Sequence, residues 1–146
     1  MSIPDKRHTY AYLFAESTTM PLDSIQSILG LAPDATTQAG DPILRGPAGH
    51  VSGFTSWTLY APIPNDEHLG LYGLTRWLEG LGDVVAERFG QVSELGVHVG
   101  LTVVQNMDVE EDLETRSNAR NFDLSPAALR WLADAGAGLR IDQYLG

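Results

Sequence analysis

The stretch "ELGVHVGLTVVQNM", residues 94–107, constrains the fold of this chain more than any other. Leu95, Val97, Val99, Leu101 and Val103 alternate with His98, Gly100 and Thr102. A period of two in a run this rich in valine predicts a strand with one buried face. A sheet that is apolar on one face must bury that face against a second layer, so a two-layer architecture follows.

Other segments supply the remaining elements. "RHTYAYLFAES" alternates Tyr10, Tyr12 and Phe14 with Thr9, Ala11 and Leu13, a strand with two usable faces. "TTMPLDSIQSILGLAP" carries a helical stripe of Leu22, Ile25, Ile28 and Leu29, ended by Gly30 and Pro33. "TTQAGDPILRGPAGH" has no period and reads as a loop. "VSGFTSWTLYA" resumes strand alternation, with Val51, Trp57 and Leu59 on one face and Phe54, Ser56, Thr58 and Tyr60 on the other.

A single long helix is expected over 67–89, with Leu71, Leu74, Leu78, Leu81 and Val85 as its stripe and Trp77, Val84 and Phe89 widening it. Gly73, Gly80 and Gly82 each weaken it by about 1 kcal/mol relative to Ala, so packing must hold it. After an acidic loop at 108–118, "FDLSPAALRWLADAGAG" is a punctuated helix. Ser125 is its N-cap, Pro126 its first residue, and Gly136 lies just past its end, with Leu129, Leu132 and Trp131 packing inward. "LRIDQYLG" closes the chain, Leu139 and Ile141 alternating with Arg140, Asp142 and Tyr144.

The expected order is β-α-β-α-β-α-β in one domain, residues 1–146. The economical arrangement is an α+β two-layer sandwich: one mixed or antiparallel sheet of four or more strands, helices on one face, with ferredoxin-like elements. At 146 residues the chain can bury a core without staples. It contains no cysteine, which excludes a disulfide scaffold, Cys-ligated zinc and thiol catalysis.

No run approaches the ~18 apolar residues of a membrane span, and the first residues lack the apolar core of a signal peptide. A soluble, cytoplasmic protein is expected. Nineteen acidic against nine basic residues give a net charge of −10. That balance argues against nucleic-acid binding and would attract a basic protein partner. It also suits a merely well-solvated surface.

Several landmarks together resemble a known family. "YAYLFAES", a short helix ending "ILGLAP", then "AGDP", "SWTLYAP", a long helix, an apolar strand and "LSPAALRWLADAGAGLRIDQY" are similar to the bacterial family designated domain of unknown function 4279. The resemblance runs from about residue 8 to 145, on Leu29, Pro33, Gly40, Asp41, Trp57, Leu124, Ser125, Leu132, Gly136, Asp142 and Tyr144. The acidic insertion before the last helix departs from it. The resemblance implies an intracellular α+β domain and supplies no reaction, cofactor or catalytic residue.

The residues point to no chemistry by motif. The four histidines, His8, His50, His68 and His98, form no short-spaced metal pair, and no nucleophile elbow, P-loop or dinucleotide fingerprint occurs. No metal and no cofactor are expected. Strand parity gives the best constellation: His98, Thr102, Arg140, Asp142 and Tyr144 share the sheet face away from the helices, with Gly100 leaving room. Ser56, Thr58 and Tyr60 join them, as do Tyr10, Tyr12 and Phe14 if the first strand faces that way. In the plainer alternative, Asp142 pairs with Arg140 and the tyrosines only cover the sheet. Gly40, Asp41 and Trp57 read as structural landmarks, Asp41 making a local turn and Trp57 filling the core. Arg45 could neutralise Asp41 or meet an anionic ligand.

These features favour a non-enzymatic binding protein, in concrete form an immunity protein engaging a basic partner. The alternative is a small-ligand or enzymatic domain using the face around His98, Asp142 and Tyr144. Monomer and homodimer are both open, including a homo-oligomer built by packing sheet faces.

Overall fold

The computed structural model describes residues 9–43, 49–63, 69–107 and 122–145. Arg45, His8, His68 and the acidic run 108–118 lie outside them. The described residues form an α+β fold with a five-stranded mixed sheet and four helices. The strands are β1 (Tyr10–Ser17), β2 (Ala35–Thr37), β3 (Thr55–Tyr60), β4 (His98–Met107) and β5 (Gly138–Leu145). The helices are α1 (Leu22–Leu29), α2 (Gly73–Leu81), α3 (Asp83–Glu94) and α4 (Pro126–Asp134).

The sheet order is β2-β3-β1-β4-β5. β1 is central and antiparallel to both neighbours, β2 is antiparallel to β3, and β5 is parallel to β4. The parallel pair is possible because α4 carries the chain back between β4 and β5.

One sheet face makes the core. Ala11, Leu13 and Ala15 of β1, Trp57 and Leu59 of β3, and Val99, Leu101 and Val103 of β4 are buried on it. They pack with Ile25 and Leu29 of α1, Leu74 and Leu78 of α2, Phe89 and Val92 of α3, and Trp131 and Leu132 of α4. Trp57, Phe89 and Trp131 run through it in edge-to-face contacts at 5.4 and 6.0 Å.

The structure corrects the expected element order in two places. The single helix expected over 67–89 is two, because Gly82 sits at φ 86°, ψ 167°, a conformation that breaks the helix. Its carbonyl accepts both the Ala86 amide at 3.4 Å, opening the second helix, and the Trp131 Nε1–H at 2.9 Å. The segment read as a loop from Thr36 starts inside β2, three residues long and held on β3 by pairs such as Thr36↔Trp57. Asp34 locks that edge, its Oδ2 accepting from the Tyr60 amide at 2.8 Å.

Several apolar expectations also fail. Leu71, Leu129, Val84, Val51 and Leu95 are 39–60% exposed, Leu71 because it lies ahead of α2. Ala128 takes the inward place on α4, and Val84 lies on the outer side of the helix that Gly82 restarted. Val51 belongs to an isolated bridge with Pro42, ahead of the strand proper. Leu95 sits in the turn that ends α3. The Ser125 cap is as expected: its Oγ accepts from the Ala128 amide at 3.1 Å, with Pro126 opening the helix.

Candidate functional site

Alternation carries the even-numbered residues of all the long strands to the face opposite the helices. The register arranges them in rows. Tyr60, Tyr12, Thr102 and Arg140 stand side by side across β3, β1, β4 and β5. Thr58, Phe14 and Gly100 form the next row toward one end. Tyr10, Val104 and Asp142 form the row toward the other, with Tyr144 beyond.

Aromatic rings dominate the centre. Tyr12 lies 5.7 Å from Tyr60 and 6.5 Å from Tyr10, and Tyr10 lies 6.2 Å from Tyr60. Phe14 is buried beside them, and Gly100 explains how. A Cβ on Gly100 would meet Phe14 Cζ at 2.5 Å, so the ring occupies the space glycine leaves. His98 packs edge-on against the Phe14 ring at 5.2 Å, and the Arg140 guanidinium lies over it at 5.3 Å.

Arg140 is further fixed by a 3.4 Å hydrogen bond donated to the Tyr12 hydroxyl and a 3.7 Å ion pair with Asp142. The hydrogen bond to Tyr12 raises the Arg140 pKa, so the guanidinium stays charged. Thr102 is fully buried beneath this layer, and its Oγ1 has no hydrogen-bond partner among the described residues.

Burial pushes the Tyr10 hydroxyl above its ordinary pKa of 10.0, followed in effect by Tyr60, Tyr12, Tyr144 and Asp142. Burial is likewise the first cause at Tyr60, followed by Tyr12 and Asp34. A hydroxyl that holds its proton more tightly folded than unfolded contributes its full stability below pH 10.0 and loses it as pH rises through the folded value. Two tyrosines should therefore ionise late in a phenolate absorbance titration, with stability falling above pH 10. Tyr10→Phe with Tyr60→Phe should remove the late phase; an unchanged titration would contradict this environment.

The expected constellation is thus only partly brought together. Thr102, Arg140, Asp142 and Tyr144 cluster at β4–β5. His98 shares their face but stands at the other end of β4. Val104 is opposite Asp142, so His98 is six residues, about 20 Å, away along the strand. His98 and Asp142, both named for the ligand or enzymatic alternative, are therefore not in contact. Arg140 does pair with Asp142, as in the plainer alternative. The central tyrosines, secondary in the sequence reading, make up the middle of the face, and the parity of β1 was the signal for them.

Asp41 Oδ2 accepts from the Gln38 amide at 2.8 Å, and the Gly40 amide donates to Ser52 O, closing the loop base. Trp57 is wholly buried. On the helical side, Asp83, Glu87, Glu94 and Asp134 line a groove of about 640 Å³ with Gly90 and Gln91 and no basic residue. Among the described residues no group of three or more acidic or histidine side chains is placed to hold a metal ion. No helix among them is long and apolar enough to cross a membrane.

No curated protein and no solved structure matches the chain. The family model described as domain of unknown function DUF4279 matches residues 7–146, and the landmarks from "YAYLFAES" to "LRIDQY" fall within that span. With its α+β sheet and nearly its whole length inside that match, the chain belongs to the DUF4279 family.

Proposed function

We propose that this chain is a non-enzymatic binding domain that docks a protein partner through the sheet face opposite its described helices, as an immunity protein would dock a basic partner. The observation that carries the reading is the partly exposed cluster of Tyr10, Tyr12 and Tyr60 beside Arg140, spread over β1, β3 and β5 on the face opposite the described helices. Tyrosine and arginine are the residues that dominate binding energy at protein interfaces. Small-molecule sites are concave, whereas this surface offers area.

The ring contacts and the Tyr12–Arg140 bond hold the side chains in place before binding, which lowers the ordering cost of association. The net charge of −10 sets up a field that draws in a basic partner. A cysteine-free chain suits the cytoplasm. We read β1–α1–β2–β3–α2/α3–β4 as a ferredoxin-like core extended by α4 and β5. The β4-β1-β3-β2 order with antiparallel neighbours supports that reading.

The test is a photo-crosslinking residue placed at Tyr60 or Val84 in the source cell. A discrete adduct from the sheet face and none from the helical face is the expected result.

A further inference from the structure

We propose that β5 is a homodimerisation edge, along which two copies of this chain pair antiparallel about a two-fold axis at Ile141. The inference goes beyond the docking reading and does not depend on it. The sheet has two edges. β2 offers three residues, too few to template a second chain, whereas β5 runs for eight. β4 is bonded along one side of β5, and no described strand lies along the other.

Edge strands are ordinarily blunted by proline, lysine, a bulge or a covering element. β5 contains neither proline nor lysine, and its pairing with β4 is unbroken from Gly138 to Leu145. Leu139 and Ile141 point to the helical side yet remain 45% and 46% exposed, and Tyr144 on the open face is 56% exposed. A long, unbulged and partly apolar edge of this kind is an association surface.

The sequence of β5 selects the occupant and the register. A two-fold axis perpendicular to the sheet keeps both open faces on one side, so each residue opposes one of its own parity. With the axis at Ile141, Arg140 faces the second copy's Asp142 and Asp142 faces its Arg140, a square of alternating charges. Ile141 meets Ile141, Leu139 meets Gln143, and the exposed Tyr144 ring lies over Gly138, which has no side chain in its way. An axis at Arg140 or Asp142 sets like charges directly opposite, which is destabilising. An axis at Leu139 or Gln143 separates arginine from aspartate altogether.

This complementarity of the strand with itself points to a second copy of the chain. The net charge of −10 opposes association at long range, but at physiological salt the screening length is about 8 Å, while the edge charges are in contact. The product is a ten-stranded sheet whose two open faces are continuous.

The chain has no cysteine of its own, so a single introduced one reports the register. Under mild oxidation Ile141→Cys should give a covalent dimer, twice 15.8 kDa. Leu139→Cys should not, because the two copies of residue 139 stand about 13 Å apart, beyond disulfide reach. In sedimentation velocity the unmodified chain should be dimeric and Arg140→Asp monomeric. The swap Arg140→Asp with Asp142→Arg should restore the dimer, circular dichroism confirming that each variant is folded. An unmodified chain that sediments as a monomer at the highest concentration tested overturns the proposal. So does equal cross-linking of Leu139→Cys and Ile141→Cys. Neither result bears on whether the sheet face docks a different protein.

Discussion

Trp57→Ala should cost about 3–5 kcal/mol, the range for removing a large aromatic side chain from a core. Against the 5–15 kcal/mol that typically holds a domain of this size, that leaves it unfolded or close to it. Trp57 is fully buried on β3, and its cross-strand neighbours Ala15 and Thr36 are small. Neither can fill the space. The indole also joins β3 to α3 through its edge contact with Phe89, and Phe89 carries the contact on to Trp131 of α4. Its Nε1 is buried with no hydrogen-bond partner among the described residues, so the loss is one of packing rather than of a hydrogen bond. Trp57→Phe, which also removes that unpaired N–H, should therefore cost much less. Denaturant unfolding followed by circular dichroism separates the two; equal midpoints would contradict this account of the core.

Gly90→Ala should destabilise the chain by about 1–3 kcal/mol, although helix propensity alone predicts a gain near 1 kcal/mol. Gly90 lies within α3 where α4 ends against it. A Cβ there would stand 2.5 Å from the Asp134 carbonyl oxygen, and a backbone atom cannot swing away as a flexible side chain can. The two helices would have to separate, weakening the Phe89–Trp131 contact one residue away. Gly80→Ala is the matched control. It is an exposed helical position where a Cβ meets nothing within 4 Å, and there the propensity gain should appear. If both substitutions stabilise, the close approach of α3 and α4 is not as described.

How far the sequence reveals this molecule depends on the kind of information each feature needs. β4 was legible because its valines alternate over a long span, and α4 because Ser125, Pro126 and Gly136 mark its ends by local chemistry. β2 was not: three residues are too few to establish a period, and what makes them a strand is the partner β3. Leu139 and Ile141 alternate as buried residues do, yet they lie on an edge the helices leave half-covered, a fact of layer width. Val84 was drawn inward because one continuous helix was assumed; the turn at Gly82 reset its phase.

The site divides the same way. Parity sorted Tyr10, Tyr12, Tyr60, Arg140 and Asp142 onto one face, since it needs only the count along each strand. Their distances needed the register between strands. His98 and Asp142 share a face and stand about 20 Å apart, which no single-strand pattern conveys. The Phe14–Gly100 contact is likewise a property of two strands, visible only once they are aligned.

The docking face is tested most directly by a photo-crosslinking residue placed at Tyr60 on the sheet face, at Val84 on the helical side and at Glu87 in the acidic groove. Each variant is irradiated in the source cell, and adducts are sized against a doubled chain to set self-association apart. The account predicts one discrete hetero-adduct from Tyr60, competed away by unmodified chain, and none from Val84 or Glu87. A hetero-adduct from Glu87 or Val84 with nothing at Tyr60 would contradict it, moving the partner to the helical side.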